Sequence, residues 1–374
     1  METKPCIAVI VPGGFGEDGY IPVLLDLLCR LGETYRVSIY SFSIAKIHPR
    51  LAAIGCAVSC PPKVIEGSSF LKGLYHLWRI GRDSVRTRFT LIHGFWAMPQ
   101  GATAVLAGKL FGIPAIVSVM GGDVVYLPSI AYGGTRSPLH RILVRWVIGA
   151  ANRVTVLTRY QRKIMDKDRL SAASISVIPF GVDTSRFAFQ SNKIPAAPKL
   201  GFIGSINSVK DPYTLISTFS HLLKSVDCTL TIAGPDIIHG RAQEYAKSLG
   251  VFHKIQWLGQ IHHESIPALL HSLDFLLLTS RYEGEGVVVM EAFASGTLVA
   301  GSNVGLLADV GDESITADPG DARGLAEKVL RLIRDPAKAH EMRKRNRAIA
   351  EEWGMDRTFK EFSAIYDDAL GLKR

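Results

Sequence analysis

The chain contains no apolar run approaching the roughly 18 residues of a membrane-crossing helix, so no part of it reads as a span. Its first apolar stretch, Cys6 to Val11, is too short for a secretory leader and runs straight into Pro12-Gly13-Gly14. Cysteine is scarce: the five residues Cys6, Cys29, Cys56, Cys60 and Cys228 are odd in number and scattered. That pattern excludes a disulfide framework and predicts reduced thiols in a cytosolic protein. Cys56-x3-Cys60 has no companion ligands of the kind a structural zinc requires. The chain lacks an internal repeat at the 20–50-residue scale and any low-complexity segment. No nucleic-acid-binding motif accompanies its positive charge.

What is present describes an ordinary globular protein. The 374 residues are 47% hydrophobic and 21% charged, most economically two domains. Charge is unevenly placed. Residues 1–195 hold 23 Lys and Arg against 11 Asp and Glu, a net +12, whereas the remainder holds 20 against 23, a net −3. A basic first half points to an anionic partner, with phospholipid headgroups or a phosphorylated acceptor the candidates once nucleic acid is set aside. Two basic amphipathic stretches contribute. Residues 68–88 interleave Phe70, Leu71, Leu74, Leu77 and Trp78 with Lys72, Arg79, Arg82, Arg86 and Arg88, and 136–146 has a similar mix. Such stretches suit a membrane interface, and equally the outer helix of an α/β domain.

Short apolar runs alternate with helical patterns throughout. Strands are expected at Cys6–Val11, Arg36–Phe42, Thr90–Gly94 and Pro114–Val119, with helices near 21–31, 68–88 and 99–111, which is the order of a doubly wound sheet. Gly14, Gly16 and Gly19 fit G-x-G-x-x-G, but the second strand ends Ser41-Phe42-Ser43 with no acid for a ribose. The glycines Gly13, Gly14 and Gly16 therefore read as room for backbone to approach a ligand, without a nicotinamide cofactor. Residues 180–198 have little periodicity and read as the interdomain linker. A second strand–loop–helix series begins at Leu200–Gly204, and Asp211-Pro212 supplies an N-cap and a proline at the first helical position.

The most informative stretch is Glu283 to Glu291, Glu-Gly-Glu-Gly-Val-Val-Val-Met-Glu. It follows the strand-like Phe275–Leu278 and precedes Ala292-Phe293-Ala294, so it reads as strand, glycine-rich loop and helix. Ligands of open α/β sheets settle at the carboxyl ends of the strands. Gly284 and Gly286 let backbone approach a ligand and present amides at a helix start, an anion site. Glu291 lies among apolar residues, where an unpartnered carboxylate costs several kcal/mol. A hydroxyl-rich ligand would satisfy it; the alternative is a solvated helix edge.

This stretch resembles the Glu-x7-Glu motif of retaining glycosyltransferase family 4. Ile178-Pro179-Phe180-Gly181-Val182-Asp183, Gly204 to Lys210, and Ala294-Ser295-Gly296-Thr297 extend the resemblance through most of the chain, as do His93-Gly94-Phe95-Trp96 and Gly121-Gly122-Asp123. The resemblance implies the GT-B fold: two Rossmann-like, doubly wound α/β domains facing a central cleft. The first, residues 1–185, would bind acceptor and receive a C-terminal helix near 356–374; the second, 196–355, would bind the nucleotide-sugar donor. It implies that Glu291 holds ribose hydroxyls, Glu283 holds sugar hydroxyls and serves catalysis with Lys210, and Gly286 and Val287 offer amides to the diphosphate. Ser205 stands where the family usually has an arginine, and Met120 where it often has a histidine. Glu285 replaces a common aromatic residue and is expected to turn away or to bind sugar. Gly13, Gly14 and Gly16, with His93 and Asp123, fall in the acceptor or phosphate loops that the resemblance implies, as room for a sugar acceptor or for donor phosphates. No metal and no cofactor are expected, and Lys210 with backbone amides would meet the leaving diphosphate. The donor would be a UDP-, GDP- or ADP-sugar and the acceptor a lipid-linked or growing saccharide of the cell surface. The chain would then work in the cytoplasm, peripheral to the inner face of the membrane. A nucleotide-sugar-binding protein without activity and a non-hydrolysing sugar epimerase of the same fold remain alternatives, because fold does not fix chemistry.

Overall fold

The computed structural model describes residues 4–13, 15–16, 19–43, 47–170, 172, 174–191, 193–310 and 315–371. The chain divides into two compact units, residues 1–179 with 355–374, and residues 180–354.

The first unit is built on β1 (Cys6–Val11), a small antiparallel pair β2 (Phe15–Gly16) and β3 (Gly19–Tyr20), then β4 (Arg36–Ser41), β5 (Ala57–Ser59), β6 (Leu91–Phe95), β7 (Ala115–Val119), β8 (Arg153–Val156) and β9 (Ile175–Val177). Seven of these form one parallel sheet in the order β5-β4-β1-β6-β7-β8-β9. Its central strands are buried on both faces, which is why β1 reads as an unbroken apolar run and β7 as one interrupted only by Ser118. The helices are α1 (Pro22–Thr34), α2 (Pro49–Ala53), α3 (Ser69–Thr87), α4 (Ala102–Phe111), α5 (Pro138–Ala150) and α6 (Arg159–Lys167). Helix α3 is capped by the Ser68 hydroxyl, which accepts the Leu71 N–H at 3.3 Å. The C-terminal helix, numbered α14 below, also belongs to this unit.

The second unit carries β10 (Lys199–Ile203), β11 (Thr229–Ala233), β12 (Ile255–Gly259), β13 (Phe275–Leu278), β14 (Leu298–Ser302) and β15 (Thr316–Ala317), a parallel sheet ordered β12-β11-β10-β13-β14-β15. The order reverses between β10 and β13, the switch point at which such sheets bind ligands. Its helices are α7 (Pro212–Leu223), α8 (Arg241–Ser248), α9 (Ile266–His271), α10 (Val287–Ser295), α11 (Gly305–Val310), α12 (Ala322–Ile333) and α13 (Pro336–Glu352), and α14 (Met355–Ala369) then completes the first unit. Helix α10 is buried from Val289 through Ser295, the central helix of a core that includes Phe202, Phe219, Phe275 and Phe293.

The segment 180–198 differs from the expected linker. Val182 and Phe187 are buried in the core of the second unit, and Gly181 lies where an added Cβ would come within 2.3 Å of the Trp353 carbonyl oxygen. Irregular backbone hid a packed role that only apolar burial reveals. All five cysteines are free thiols. Among the described residues no helix is long and apolar enough to cross a membrane.

Candidate active site

The carboxyl ends of β10, β11, β12 and β13 bring glycine-bearing loops together. Gly204, at φ +152°, ends β10, and a Cβ on Gly234 would lie 2.0 Å from its carbonyl oxygen. The Gly234 N–H in turn donates to the Gly259 carbonyl at 2.7 Å. The ends of β10 and β11 can approach this closely only because Gly234 carries no side chain.

Lys210 and Glu283 meet at this edge. Lys210 Nζ donates to Glu283 Oε1 at 2.6 Å, across 73 residues of sequence. The same oxygen accepts the Ser280 hydroxyl at 2.5 Å. Lys210 is fixed from behind, because its own N–H donates to Asn207 Oδ1 at 3.1 Å and its carbonyl accepts from the Thr279 hydroxyl, also at 3.1 Å. Asp211 follows in a left-handed conformation and caps α7 through the Thr214 N–H at 3.2 Å. The result is a cation and a carboxylate in contact, each held by a second polar group.

From Glu283 the chain enters α10 through its N-cap residue Gly286, which stands at φ +87°. Val287 begins the helix, so its N–H belongs to the unpaired first turn, where the helix dipole favours negative charge. Glu291 lies one turn further, 6% exposed, and its Oε1 meets His263 Nε2 at 2.8 Å. Arg186 Nη2 lies 3.2 Å from His263 Nδ1. A guanidinium can only donate, so Nδ1 accepts and the His263 proton sits on Nε2, directed at Glu291. Sequence reading missed His263, Arg186 and Ser280; each is an ordinary polar residue whose partner lies elsewhere along the chain, apart from Ser280, three residues from Glu283.

Glu285 turns inward. Its Oε2 accepts the Phe180 N–H at 3.2 Å, while Oε1 is buried with no hydrogen-bond partner. Burial, with a smaller push from Asp309, raises its carboxyl well above the usual range. Ser205 is half-buried on the loop after Gly204. Gly305 closes the loop from the other side, at φ +56°, where a Cβ would fall 2.5 Å from the Glu285 carbonyl oxygen and 2.7 Å from Glu283 Cβ.

In the first unit the expected acceptor residues fare differently. His93, at 0% exposure, bonds through Nδ1 to the Tyr366 hydroxyl and through Nε2 to the Ser118 hydroxyl, both at 2.7 Å. Burial pushes its imidazole down to about 3. Both ring nitrogens are spent inside the sheet, so His93 joins β6, β7 and α14 and does not present itself to an acceptor. Asp123 is likewise bonded within the unit: Oδ2 accepts the Ala97 N–H at 2.6 Å and Oδ1 the Gly121 N–H at 3.1 Å. Burial raises its carboxyl to about 6 against the pull of those donors. Gly13, at φ +132°, packs where a Cβ would strike the Ser43 hydroxyl, and Gly16 pairs with Gly19 in the β2–β3 hairpin. That hairpin stands between the glycines and α1, which begins at Pro22, so the loop does not feed a helix as the dinucleotide fingerprint requires. Gly14 lies outside the described residues.

Comparison with known proteins accords with this arrangement. The family described as "Glycosyl transferases group 1" matches residues 183–349, and the "Glycosyl transferase 4-like domain" matches residues 18–181. Between them, two glycosyltransferase families account for residues 18–181 and 183–349 of this chain. It is a glycosyltransferase with two Rossmann-like domains of the GT-B type. It is similar to a 2-deoxystreptamine glucosyltransferase of Streptomyces kanamyceticus, at 28% identity over 298 residues, 75% of this chain and 76% of that protein. The fold is similar to that of the sucrose-phosphate synthase of Thermosynechococcus elongatus, with a TM-score of 0.82 at 18% identity over 99% of this chain and 100% of that one. It is also similar to that of Anabaena HepE in complex with UDP-glucose, with a TM-score of 0.77 at 16% identity over 97% and 99%.

Proposed function

We propose that this glycosyltransferase moves a hexose from a nucleotide-sugar donor to a saccharide or lipid-linked acceptor of the cell surface, with retention of configuration. The observation that carries the reading is the Lys210–Glu283 contact at the switch point, beside the first turn of α10. Departure of a nucleoside diphosphate builds negative charge, and stabilisation must be greatest where that charge develops. Lys210 supplies a cation with two N–H donors beyond the one given to Glu283. Gly286 and Val287 supply amides at a helix N-terminus, so the chain's own groups meet the diphosphate and no metal is invoked.

Glu283 would then hold hydroxyls of the transferred sugar and Glu291 those of the ribose. The two carboxylates serve opposite ends of the donor and do not act as the acid and base of a glycosidase. Retention follows if the acceptor hydroxyl attacks on the face the diphosphate leaves, giving that diphosphate its proton. The transferred atoms balance: one glycosidic C–O bond forms as the C–O bond to the diphosphate breaks. HepE was solved with UDP-glucose, which supports UDP-glucose as the first donor to try. The acceptor would be met in the cytoplasm at the inner face of the membrane.

The test is a thermal-shift series with UDP-, GDP- and ADP-sugars, because a ligand of the native state raises its apparent stability. The stabilising donor is then assayed for transfer in the presence of EDTA, with the product anomer read by NMR. Donor binding with no transfer to any acceptor favours a binding protein, and epimerisation of free donor favours an epimerase. An inverted anomer, or loss of transfer in EDTA, overturns the corresponding part of the mechanism.

A further inference from the structure

Helices α3, α4 and α5 are the crossovers from β5 to β6, β6 to β7 and β7 to β8, all advancing in one direction along the sheet. Right-handed crossovers put them on one face as a single layer. Helix α4 packs between the other two, and Gly81 of α3 lets the Phe111 ring settle against it, since a Cβ there would come within 2.6 Å.

The outer surface of this layer is apolar where water is expected. On α3, Leu71, Leu74, Trp78 and Val85 recur at helical spacing on the exposed side, with Trp78 58% exposed and Val85 82%. Phe70 at the helix start is 73% exposed. Helix α5 buries Val144, Val147 and Ile148 and turns Leu139, Ile142 and Trp146 outward, with Leu139 at 66% and Ile142 at 63%. Leu106 and Leu110 of α4 are exposed between them. A surface helix needs one apolar stripe for its own core; α3 and α5 carry a second, and soluble proteins seldom expose a contiguous patch of this extent without a partner.

Charge identifies the partner. These three helices carry Lys72, Arg79, Arg82, Arg86, Lys109, Arg141 and Arg145, and their one acidic residue is Asp83. That carboxylate is already engaged, accepting the Tyr40 hydroxyl at 3.1 Å and lying 3.6 Å from Arg79 and 3.4 Å from Arg82. The Arg82 guanidinium sits 5.1 Å from the Trp78 ring centroid, a pairing suited to the headgroup level, where aromatic rings and cations are both stable. We propose that the outer face of the α3–α4–α5 layer docks on an anionic lipid bilayer, its apolar stripes entering the headgroup–acyl boundary. Apolar side chains spread over three helices and interleaved with cations of one sign match a broad, fluid, negatively charged surface. This deepens the membrane-side reading above by naming the surface, and it holds whichever sugar is transferred.

The experiment is flotation of the whole chain with vesicles of phosphatidylcholine alone or with 30% phosphatidylglycerol, while tryptophan emission is followed. The expected result is binding to the anionic vesicles only, a blue shift in emission, and loss of binding as salt rises. Replacing both Leu74 and Trp78 by Ser, or Arg79, Arg82, Arg86 and Arg88 together by Ser, should weaken partitioning by about tenfold or more. Unchanged melting temperatures in these variants show that the fold has survived. Absence of vesicle binding overturns the proposal, as does binding that the Leu74 and Trp78 replacements leave untouched. So does a concentration-dependent dimer that the same replacements abolish, which would assign the face to a second copy of the chain. The readout needs neither donor nor acceptor, so failure of the transferase reading would leave the result intact.

Discussion

His263 Nε2 donates to Glu291 Oε1 at 2.8 Å, across 28 residues of sequence. The carboxylate assigned to the ribose is thus held by an imidazole whose tautomer Arg186 fixes from its other side. Glu291 has four lone-pair sites to share, so one hydrogen bond to His263 orients it and leaves acceptor capacity for a ligand. Glu291→Gln keeps size and an acceptor oxygen but loses charge-assisted bonds. Affinity for the nucleoside diphosphate should fall by about 1–3 kcal/mol, with little change in the melting temperature of the free protein. His263→Ala should weaken affinity in the same direction through loss of orientation, raising the KM for donor more than it lowers kcat. Calorimetry paired with thermal melting decides the matter. A lower melting temperature with unchanged nucleotide affinity would sink the ribose assignment.

Lys210→Ala removes the cation beside Glu283. Because charge grows mainly in the transition state, turnover should fall by about 10²–10³, more than donor affinity does. Turnover within twofold of the wild type would take Lys210 out of the reaction.

Gly305→Ala should damage the same loop without touching a charged group. The new Cβ would meet the Glu285 carbonyl and Glu283 Cβ, both backed by buried structure, in a conformation that already disfavours a side chain. Donor affinity and melting temperature should both drop. An affinity equal to that of the wild type would show that Glu283 need not be held where it stands.

The buried histidines give acid sensitivity of known sign. Burial lowers His93 to about 3 and His76 to about 4, below the roughly 6.5 of an unfolded histidine. Between those values the unfolded chain binds more protons, so each contributes stability that is present at neutral pH and lost as pH falls below 6.5. The slope is about 1.4 kcal/mol per pH unit for each proton. Asp123, raised to about 6, acts oppositely, since the native state holds its proton down to the unfolded value near 4. Glu285, held well above the usual carboxyl range by burial, opposes the histidines in the same way, so the test is comparative: in urea unfolding at pH 7, 6 and 5, His93→Asn should lose less stability than the wild type, by the slope of about one proton. An unchanged slope would mean that His93 titrates inside the folded protein.

Much of the fold was legible because it rests on local pattern. Parallel strands buried on both faces must be continuous apolar runs, and Cys6–Val11, Phe275–Leu278 and Leu298–Ala300 could be read as such. Asp211-Pro212 announced α7, and Glu283–Glu291 announced a loop entering a helix, because capping and glycine chemistry act within a few residues. Short edge strands such as Ala57–Ser59 and Thr316–Ala317 escaped, having too few residues to display a period.

The sequence by itself determined two series of strand, loop and helix, a basic first half, and the residues able to meet a phosphate or a hydroxyl. Tertiary structure alone decided which of them meet. Lys210 and Glu283, 73 residues apart, become an ion pair because β10 and β13 are neighbours at the switch point. His93 looked equally available, yet its strand is central and both nitrogens are bonded within the fold. Glycine-rich loops and helix starts are written in adjacent residues, whereas burial and partner choice depend on the order in which strands assemble. That order is set by the packing of the whole domain.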